Sequence, residues 1–381
     1  MINSTKIIGV IFTFKSRWIG GIYYIINVVN SFNYLDEENK PEVVIFYNDR
    51  TEKYLSDITY SKSIFKKIEV DYSVFIYIKS LFLNRNYFFS SSFLDSNLDV
   101  LFPFNDYIGT LPKIRPKVFS WIPDFQHKYY PQYFSKLNLI LREFKFKMIA
   151  RNCNGLVFSS NDAFSQFKSF YKYPKELIPN VVRFTSIVDF ENLKTKEEVF
   201  KKFKIESTYF IICNQFYQHK NHLLILKALK LIVEKGSNCH IIFTGKPDQV
   251  KDNIILDEMN EYIDKNFLNK NVEFLGLLPR MEQLSLILYS DAVIQPSKFE
   301  GWSTVIEDAK SLNKLVLASN LSVNIEQLND KALYFSPDSD EELSNAMLKV
   351  LNKEINLDIN WEPQNIRTKV FAESLLKAFD S

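Results

Sequence analysis

Pro296-Ser297-Lys298-Phe299-Glu300-Gly301-Trp302-Ser303-Thr304-Val305-Ile306-Glu307-Asp308-Ala309 is the stretch on which the fold turns. Ahead of it, Asp-Ala-Val-Ile-Gln at 291–295 is a short apolar run of strand type, and after Gly301 either Ser303 or Thr304 can cap a new helix. A strand that passes through a glycine turn into a helix N-terminus suits an open α/β sheet, where ligands bind beyond the carboxyl ends of the strands. The unpaired N–H groups of the first helical turn suit a diphosphate, and carboxylates beside them suit hydroxyl groups, so both halves of a nucleotide-sugar can be held. Glu300 precedes the helix at that ligand end, with seven residues between it and Asp308. Glu307 has a blander reading: with Thr304 as the cap it stands at the third helical position and closes a capping box.

A second stretch has the same plan. Thr-Tyr-Phe-Ile-Ile-Cys-Asn-Gln-Phe-Tyr-Gln-His-Lys-Asn-His at 208–222 leads a buried strand into a polar loop carrying Lys220, just ahead of a helix patterned by Leu223, Leu224, Leu226, Ala228, Leu229, Leu231 and Ile232. An ammonium there is placed to neutralise phosphate. Alone, Lys220 reads as a surface lysine and Glu300 as a solvated charge. Two strand-loop-helix units with complementary groups, one cationic and one anionic, point to an anionic ligand between them.

These residues resemble the retaining GT-B glycosyltransferases of family 4 (glycosyl transferases group 1), which move a sugar from a nucleotide donor to an acceptor. The family pattern is a Glu, seven residues, and a second Glu before Ala; Phe299-Glu300-Gly301-Trp302 matches its first half and Asp308-Ala309 stands where Glu-Ala is usual. Gly20-Gly21 looks like the N-terminal glycine loop, Pro179-Asn180-Val181-Val182 like the segment that closes the first domain, and Gln215 with Lys220 like the Arg/Lys phosphate pair. Trp121-Ile122-Pro123-Asp124-Phe125-Gln126-His127, followed by Tyr130-Pro131, is similar to a subgroup pattern in which the His faces the donor sugar. The resemblance implies that Glu300 contacts the transferred sugar and that Asp308, one methylene shorter than usual, or Glu307 takes the ribose hydroxyls. It implies that Lys220, the amides of Gly301, Trp302, Ser303 and Thr304, and the Gly20-Gly21 loop stabilise the departing diphosphate, with His127 on the opposite wall. The base contact falls near Gly245 and Leu275-Gly276-Leu277. Transfer with retention, no protein nucleophile, no metal and no cofactor are the corresponding expectations.

Length and composition agree. A chain of 381 residues exceeds one core and suggests two domains, and 46% hydrophobic with 24% charged residues describes a globular protein. The three cysteines, Cys153, Cys213 and Cys239, have no metal spacing and fit a reduced, cytoplasmic protein, and Cys213 and Cys239, in apolar strand-like runs, read as small core residues. The longest aromatic-apolar region, 74–104, is broken by Lys79, Arg85, Asp95 and Asp99, short of the roughly 20 apolar residues a spanning helix needs. Residues 7–14 are too short for a signal sequence and read as the first buried strand.

The net charge of +2 hides a basic stretch. Lys113, Arg115, Lys117, Lys128, Lys136, Arg142, Lys145, Lys147 and Arg151 face only Asp124 and Glu143, and are interleaved with Tyr129, Tyr130, Tyr133, Phe134, Phe144 and Phe146. Two readings stay open: a solvated helix face over an aromatic core face, or a surface peripheral to the inner face of a membrane that meets a glycan or lipid-linked acceptor. No nucleic-acid motif accompanies the charge.

Strand-like runs fall at 6–12, 42–47, 100–102, 117–121, 155–159, 209–213, 239–244, 272–275, 292–295 and 315–318, with helical patterns at 21–31, 139–151, 221–234, 282–289 and 341–351. Such alternation predicts parallel sheets covered on both faces. The expected architecture is α/β: two Rossmann-like domains facing a central cleft, 1–185 on the acceptor side and 186–362 binding the nucleotide-sugar, with a C-terminal helix in 363–381 crossing back to the first. The polar segment 189–202 reads as the linker. Three other classes compare less well. A nucleotide-sugar epimerase would need groups suited to proton removal, a nicotinamide dehydrogenase would need Gly-x-Gly-x-x-Gly after a strand, and a catalytically silent nucleotide-sugar-binding paralogue would not need both Lys220 and Glu300. The function expected is glycosyl transfer in polysaccharide biosynthesis.

Overall fold

Runs such as Ile-Ile-Gly-Val-Ile-Phe and Phe-Ile-Ile-Cys have no polar face, so they are stable only as strands buried on both sides, the condition of a parallel sheet. A computed structural model describes residues 5–14, 18–71, 73–83, 87, 97–105, 116–245 and 254–381. Arg85, Asp95, Lys113 and Arg115 of the stretches considered above lie outside the described residues. The chain divides into one unit of Met1–Thr185 with Gln364–Ser381 and a second of Ser186–Pro363.

In the first unit, β1 (Ile7–Phe12), β2 (Glu42–Tyr47), β3 (Ser63–Lys67), β4 (Val100–Phe102), β5 (Lys117–Ile122), β6 (Gly155–Phe158) and β7 (Ile178–Val181) form a parallel sheet in the order β3-β2-β1-β4-β5-β6-β7. The order reverses between β1 and β4, which makes their carboxyl ends the switch point of this sheet. The final helix, Gln364–Asp380, packs on this unit: Phe379 lies 5.2 Å from Phe102 and 5.1 Å from Phe119 between ring centroids, and Lys369 pairs with Asp36.

In the second unit, β8 (Phe210–Cys213), β9 (Ile241–Thr244), β10 (Val272–Gly276), β11 (Ala292–Gln295), β12 (Val316–Ser319) and β13 (Leu333–Phe335) are parallel in the order β10-β9-β8-β11-β12-β13. The period of two is visible in its cores. Phe210, Ile212, Ile241, Phe243, Ala292, Ile294 and Leu317 join one apolar cluster, while Tyr209, Ile211, Ile242, Val293 and Val316 join another on the opposite face. The reversal here falls between β8 and β11, whose registers match Ala292 with Phe210 and Val293 with Ile211.

Two expectations are corrected. Residues 189–202 are no linker: they form a short turn, Phe190–Asn192, and the helix Lys196–Phe203, closed by a capping box of Thr195 and Glu198 and anchored by buried Val199. The many charges that made the segment look like linker are the solvated face of that helix. Strands β3, β7 and β13, absent from the sequence pattern, all lie at sheet edges.

Burial pushes the thiols of Cys153, Cys213 and Cys239 up to about 12, as expected of core cysteines. Among the described residues no helix is long and apolar enough to cross a membrane.

Candidate active site

The neighbouring positions of β8 and β11 bring together residues 80 apart in sequence. Lys220 follows β8 through the loop of Asn214 and Gln215 and the turn Gln218–Lys220; Glu300 follows β11 through Pro296. Lys220 Nζ donates to Glu300 Oε1 at 2.6 Å, and Gln295 Nε2 donates to the same oxygen at 2.5 Å. Behind them, Asn214 Nδ2 donates to Gln295 Oε1 at 3.0 Å, so a buried amide relay orients the carboxylate. Both bonds to Glu300 land on Oε1 and the ion pair is mostly enclosed, the setting in which such a pair is geometrically strict. Asn221 sits in the left-handed region at φ 58 and donates to the carbonyls of Pro296 at 3.1 Å and Pro337 at 2.8 Å, pinning the loops that follow β11 and β13. Asparagine tolerates that conformation better than most side chains.

Gly245 ends β9 and its N–H donates to the Gly276 carbonyl at 2.8 Å, so the two glycines expected near the base are neighbours. Gly245, at φ 146, admits no side chain: a Cβ would fall 2.2 Å from the carbonyl oxygen of Asn214. Gly276, at φ 68, needs glycine for its backbone rather than for space.

The helix after Glu300, Thr304–Ser311, starts differently from the Thr304 expectation. Ser303 is the cap, its Oγ accepting from Ile306 N, so Glu307 falls one residue beyond the capping-box position and closes no box. Glu307 is instead buried, with Oε1 accepting from Lys310 Nζ and Gln327 Nε2, both at 2.9 Å. Gln327 also accepts from Ser303 N at 3.1 Å, so that one of the amides at 301–304 is already bonded. Trp302 is buried beside Lys310, whose Nζ lies 5.9 Å from the Trp302 ring, while Gly301 and Thr304 are half-buried.

Asp308 is fully buried and takes a two-pronged salt bridge from Arg280, Nη1 to Oδ2 at 2.6 Å and Nη2 to Oδ1 at 2.5 Å, with Ser186 Oγ donating to Oδ1 at 2.5 Å. Neither acidic residue of the pair 307–308 is therefore a bare carboxylate. Arg280, Gln295, Asn214 and Gln327 were missed in the sequence. Asn214 and Gln295 could have been found, being polar ends of apolar strands; Arg280 and Gln327 meet partners 28 and 24 residues away with no local sign.

In the first unit, Gly20 and Gly21 are not a loop. They lie in the first turn of the helix Ile19–Ser31, and the residues 15–17 that lead into it are outside the described residues. Gly21 makes room for Trp18: a Cβ there would fall 2.4 Å from its ring. His127 is buried, its Nε2 3.1 Å from Glu143 Oε1 and 3.4 Å from the Tyr171 hydroxyl, and its Nδ1 has no partner among the described residues. Burial lowers its pKa and Glu143 pulls the other way, with the net shift downward.

Residues 194–367 match the family model described as Glycosyl transferases group 1. The O-antigen chain mannosyltransferase RfbU of Salmonella typhimurium is 25% identical over 241 residues, 63% of this chain and 62% of that protein. The capsular polysaccharide biosynthesis glycosyltransferase CapH of Staphylococcus aureus is 28% identical over 130 residues, 33% of this chain and 34% of that protein. The chain thus spans less than two thirds of either relative's length. Among solved structures, a glycosyltransferase from Rickettsia africae superposes with a TM-score of 0.63 at 13% identity, and Anabaena HepE in complex with UDP and glucose with 0.64 at 12%, each covering 98% of this chain and 94% of the other. At such identities these likenesses speak to fold alone, the GT-B pair of Rossmann-like domains. The family match takes in Lys220, Glu300 and the helix after them, all within the second unit, and that unit is similar to the glycosyl transferases group 1 family.

Proposed function

We propose that the chain is a glycosyltransferase that moves a sugar from a nucleotide-diphosphate donor to a glycan or lipid-linked acceptor during assembly of a surface polysaccharide, with retention at the anomeric carbon and without a metal. The observation that carries this reading is the Lys220–Glu300 pair at the carboxyl ends of β8 and β11, where the sheet order reverses. The names of the two curated relatives, one acting on O-antigen and one on capsule, support the polysaccharide assignment.

In this reading the donor displaces Lys220 from Glu300. The ammonium turns to the diphosphate, where charge builds as the sugar leaves, and Glu300, still held by Gln295, accepts hydroxyls of the transferred sugar. The C1–O bond to the terminal phosphate breaks, the acceptor oxygen bonds to C1, and the acceptor proton passes to the departing phosphate oxygen. The base contact is assigned to the backbone around Gly245 and Gly276, which are hydrogen-bonded neighbours. Asp308 is assigned to the Arg280 bridge ahead of ribose binding, since releasing it would strand a mostly buried guanidinium.

The acceptor side falls to the first unit. The helix Lys136–Asn152 buries Phe146, Ile149 and Ala150, yet leaves Leu137 and Ile140 64% and 65% exposed on the face that also carries exposed Lys136 and Lys147. An exposed apolar pair with lysines on the same face suits the headgroup layer of an anionic membrane and a lipid-linked acceptor.

The test is a thermal-shift screen of the full chain against UDP, GDP, ADP and their sugar conjugates, followed by assay of nucleotide release from any hit in the presence of a chelator. Stabilisation by one nucleotide and slow hydrolysis of its sugar conjugate is the expected result. Stabilisation with no sugar ever moved would favour the silent paralogue, and loss of activity with the chelator would remove the metal-free step.

A further inference from the structure

The first sheet reverses between β1 and β4, and the side chains just past those two strands take no part in the donor chemistry proposed above. After β1 comes Trp18, 39% exposed. Beneath it is a tiered stack: Trp18 lies on Trp121 with ring centroids 5.3 Å apart and planes 8° from parallel, and Trp121 lies on Tyr24 with planes 11° from parallel. Tyr24 is fully buried and Trp121 nearly so, its Nε1 donating to Ser159 Oγ at 2.9 Å. Phe14 supports Trp18 edge-on at 6.0 Å, and Gly21 keeps its place without a Cβ because the Trp18 ring occupies that space. Asn105, just past β4, is tied to the stack by accepting from Trp121 N at 3.2 Å.

We infer that Trp18 is a stacking platform for a pyranose ring, the acceptor sugar of the transfer proposed above, on which reading the role as acceptor rests. Two facts carry this. The ring sits where ligands of open α/β sheets bind, at the reversal of strand order. It is also rigid, with buried layers beneath it, whereas a tryptophan left at the surface by chance has no such support. An aromatic ring held in place and partly exposed can accept the slightly positive C–H face of a sugar on its π surface, while the hydroxyls at the rim stay in water or meet side chains such as Asn105. A diphosphate has no such face, and in this account its site is in the second unit.

Saturation-transfer NMR on the full chain tests this with methyl α-mannoside, methyl β-glucoside, methyl β-galactoside and maltotriose as probes, and with UDP, GDP and ADP in separate tubes. Wild type is expected to saturate the ring C–H protons of at least one sugar. Trp18→Phe keeps the effect, and Trp18→Leu, which retains apolar bulk and so the fold, reduces it at least about five-fold, the change that a stacking contact of about 1 kcal/mol carries. Nucleotide signals are expected to be equal in all three proteins, which also reports on their folding. Equal sugar saturation in Trp18→Leu, no saturation of any sugar by wild type, or a nucleoside signal that falls in Trp18→Leu would each overturn the platform. Failure of every nucleotide to bind wild type, with the sugar pattern intact, would instead overturn the transferase reading and leave the platform standing.

Discussion

Glu300 holds one position through two bonds to a single oxygen, and its removal has separable consequences for chemistry and for stability. Glu300→Gln is expected to lower transfer on the order of 100-fold, the usual effect of losing one preorganised polar contact to a transition state; near-normal turnover in a steady-state assay would remove it from the site. Asp308→Asn should act on stability, because it leaves Arg280 as a mostly buried charge without its partner, at about 3–5 kcal/mol. Glu307→Gln also leaves a mostly buried cation, Lys310, without its carboxylate partner and should cost a similar amount. Urea melts of the two variants check both, and a loss below about 1 kcal/mol in Asp308→Asn would contradict the bridge. His222 gives a pH signature. It is 1% exposed and stacked on Phe216, and burial first, then the charge of Lys220, drops its pKa to about 3. The unfolded chain takes up that proton near 6.5 while the folded chain does not, so stability falls as pH drops below 6.5, by about 1.4 kcal/mol per unit for this one group. His222→Phe should flatten the acid side of the stability profile between about pH 6.5 and 4.5. A profile as steep as that of wild type would show that His222 titrates normally.

At the scale of elements, the central strands were legible, whereas of the edge strands β10 was and β3, β7 and β13 were not. β2, β4 and β11 match their apolar runs residue for residue because a strand covered on both faces has nowhere to put a polar group. β3 leaves Ile64 and Phe65 exposed and carries two lysines, β7 carries Pro179, and β13 has three residues. An edge strand is permitted each of those features, and so it lacks the pattern that reveals a central one. Helix starts were legible as a choice and not as an answer: Ser303 and Thr304 are both competent caps, and only the tertiary bond from Gln327 to Ser303 marks where the helix begins. Ser303→Ala should lower stability by about 1 kcal/mol, read as a small fall in Tm. The helix Lys136–Asn152 has apolar residues on more than its core face, so sequence alone could not separate its buried from its exposed side. In vesicle sedimentation with anionic lipid, Leu137→Asp with Ile140→Asp should weaken binding with little change in Tm, since both side chains are exposed. Unchanged sedimentation would return the face to a solvated role.

Over the whole molecule, both units obey one rule, a parallel sheet whose strand order reverses once, and in the second Lys220 and Glu300 follow the two strands at the reversal. The parallel sheets were readable from the alternation of strands and helices, and the two loop motifs put Lys220 and Glu300 at strand ends; the order of the strands was not readable, because pairing between strands leaves no local pattern. The side chains that complete the site were harder to see: Arg280 bonds to Asp308 and Asn214 to Gln295 across distances in sequence that no spacing rule reports. The central claim is that a nucleoside diphosphate is held by Lys220 in the second unit. The most direct test is the nucleotide thermal shift measured on wild type, Lys220→Met and Trp18→Leu together. One of UDP, GDP or ADP is expected to raise the Tm of wild type and of Trp18→Leu by the same amount and to leave Lys220→Met nearly unmoved. An equal rise in Lys220→Met, or no rise in wild type with any of the three, would contradict it.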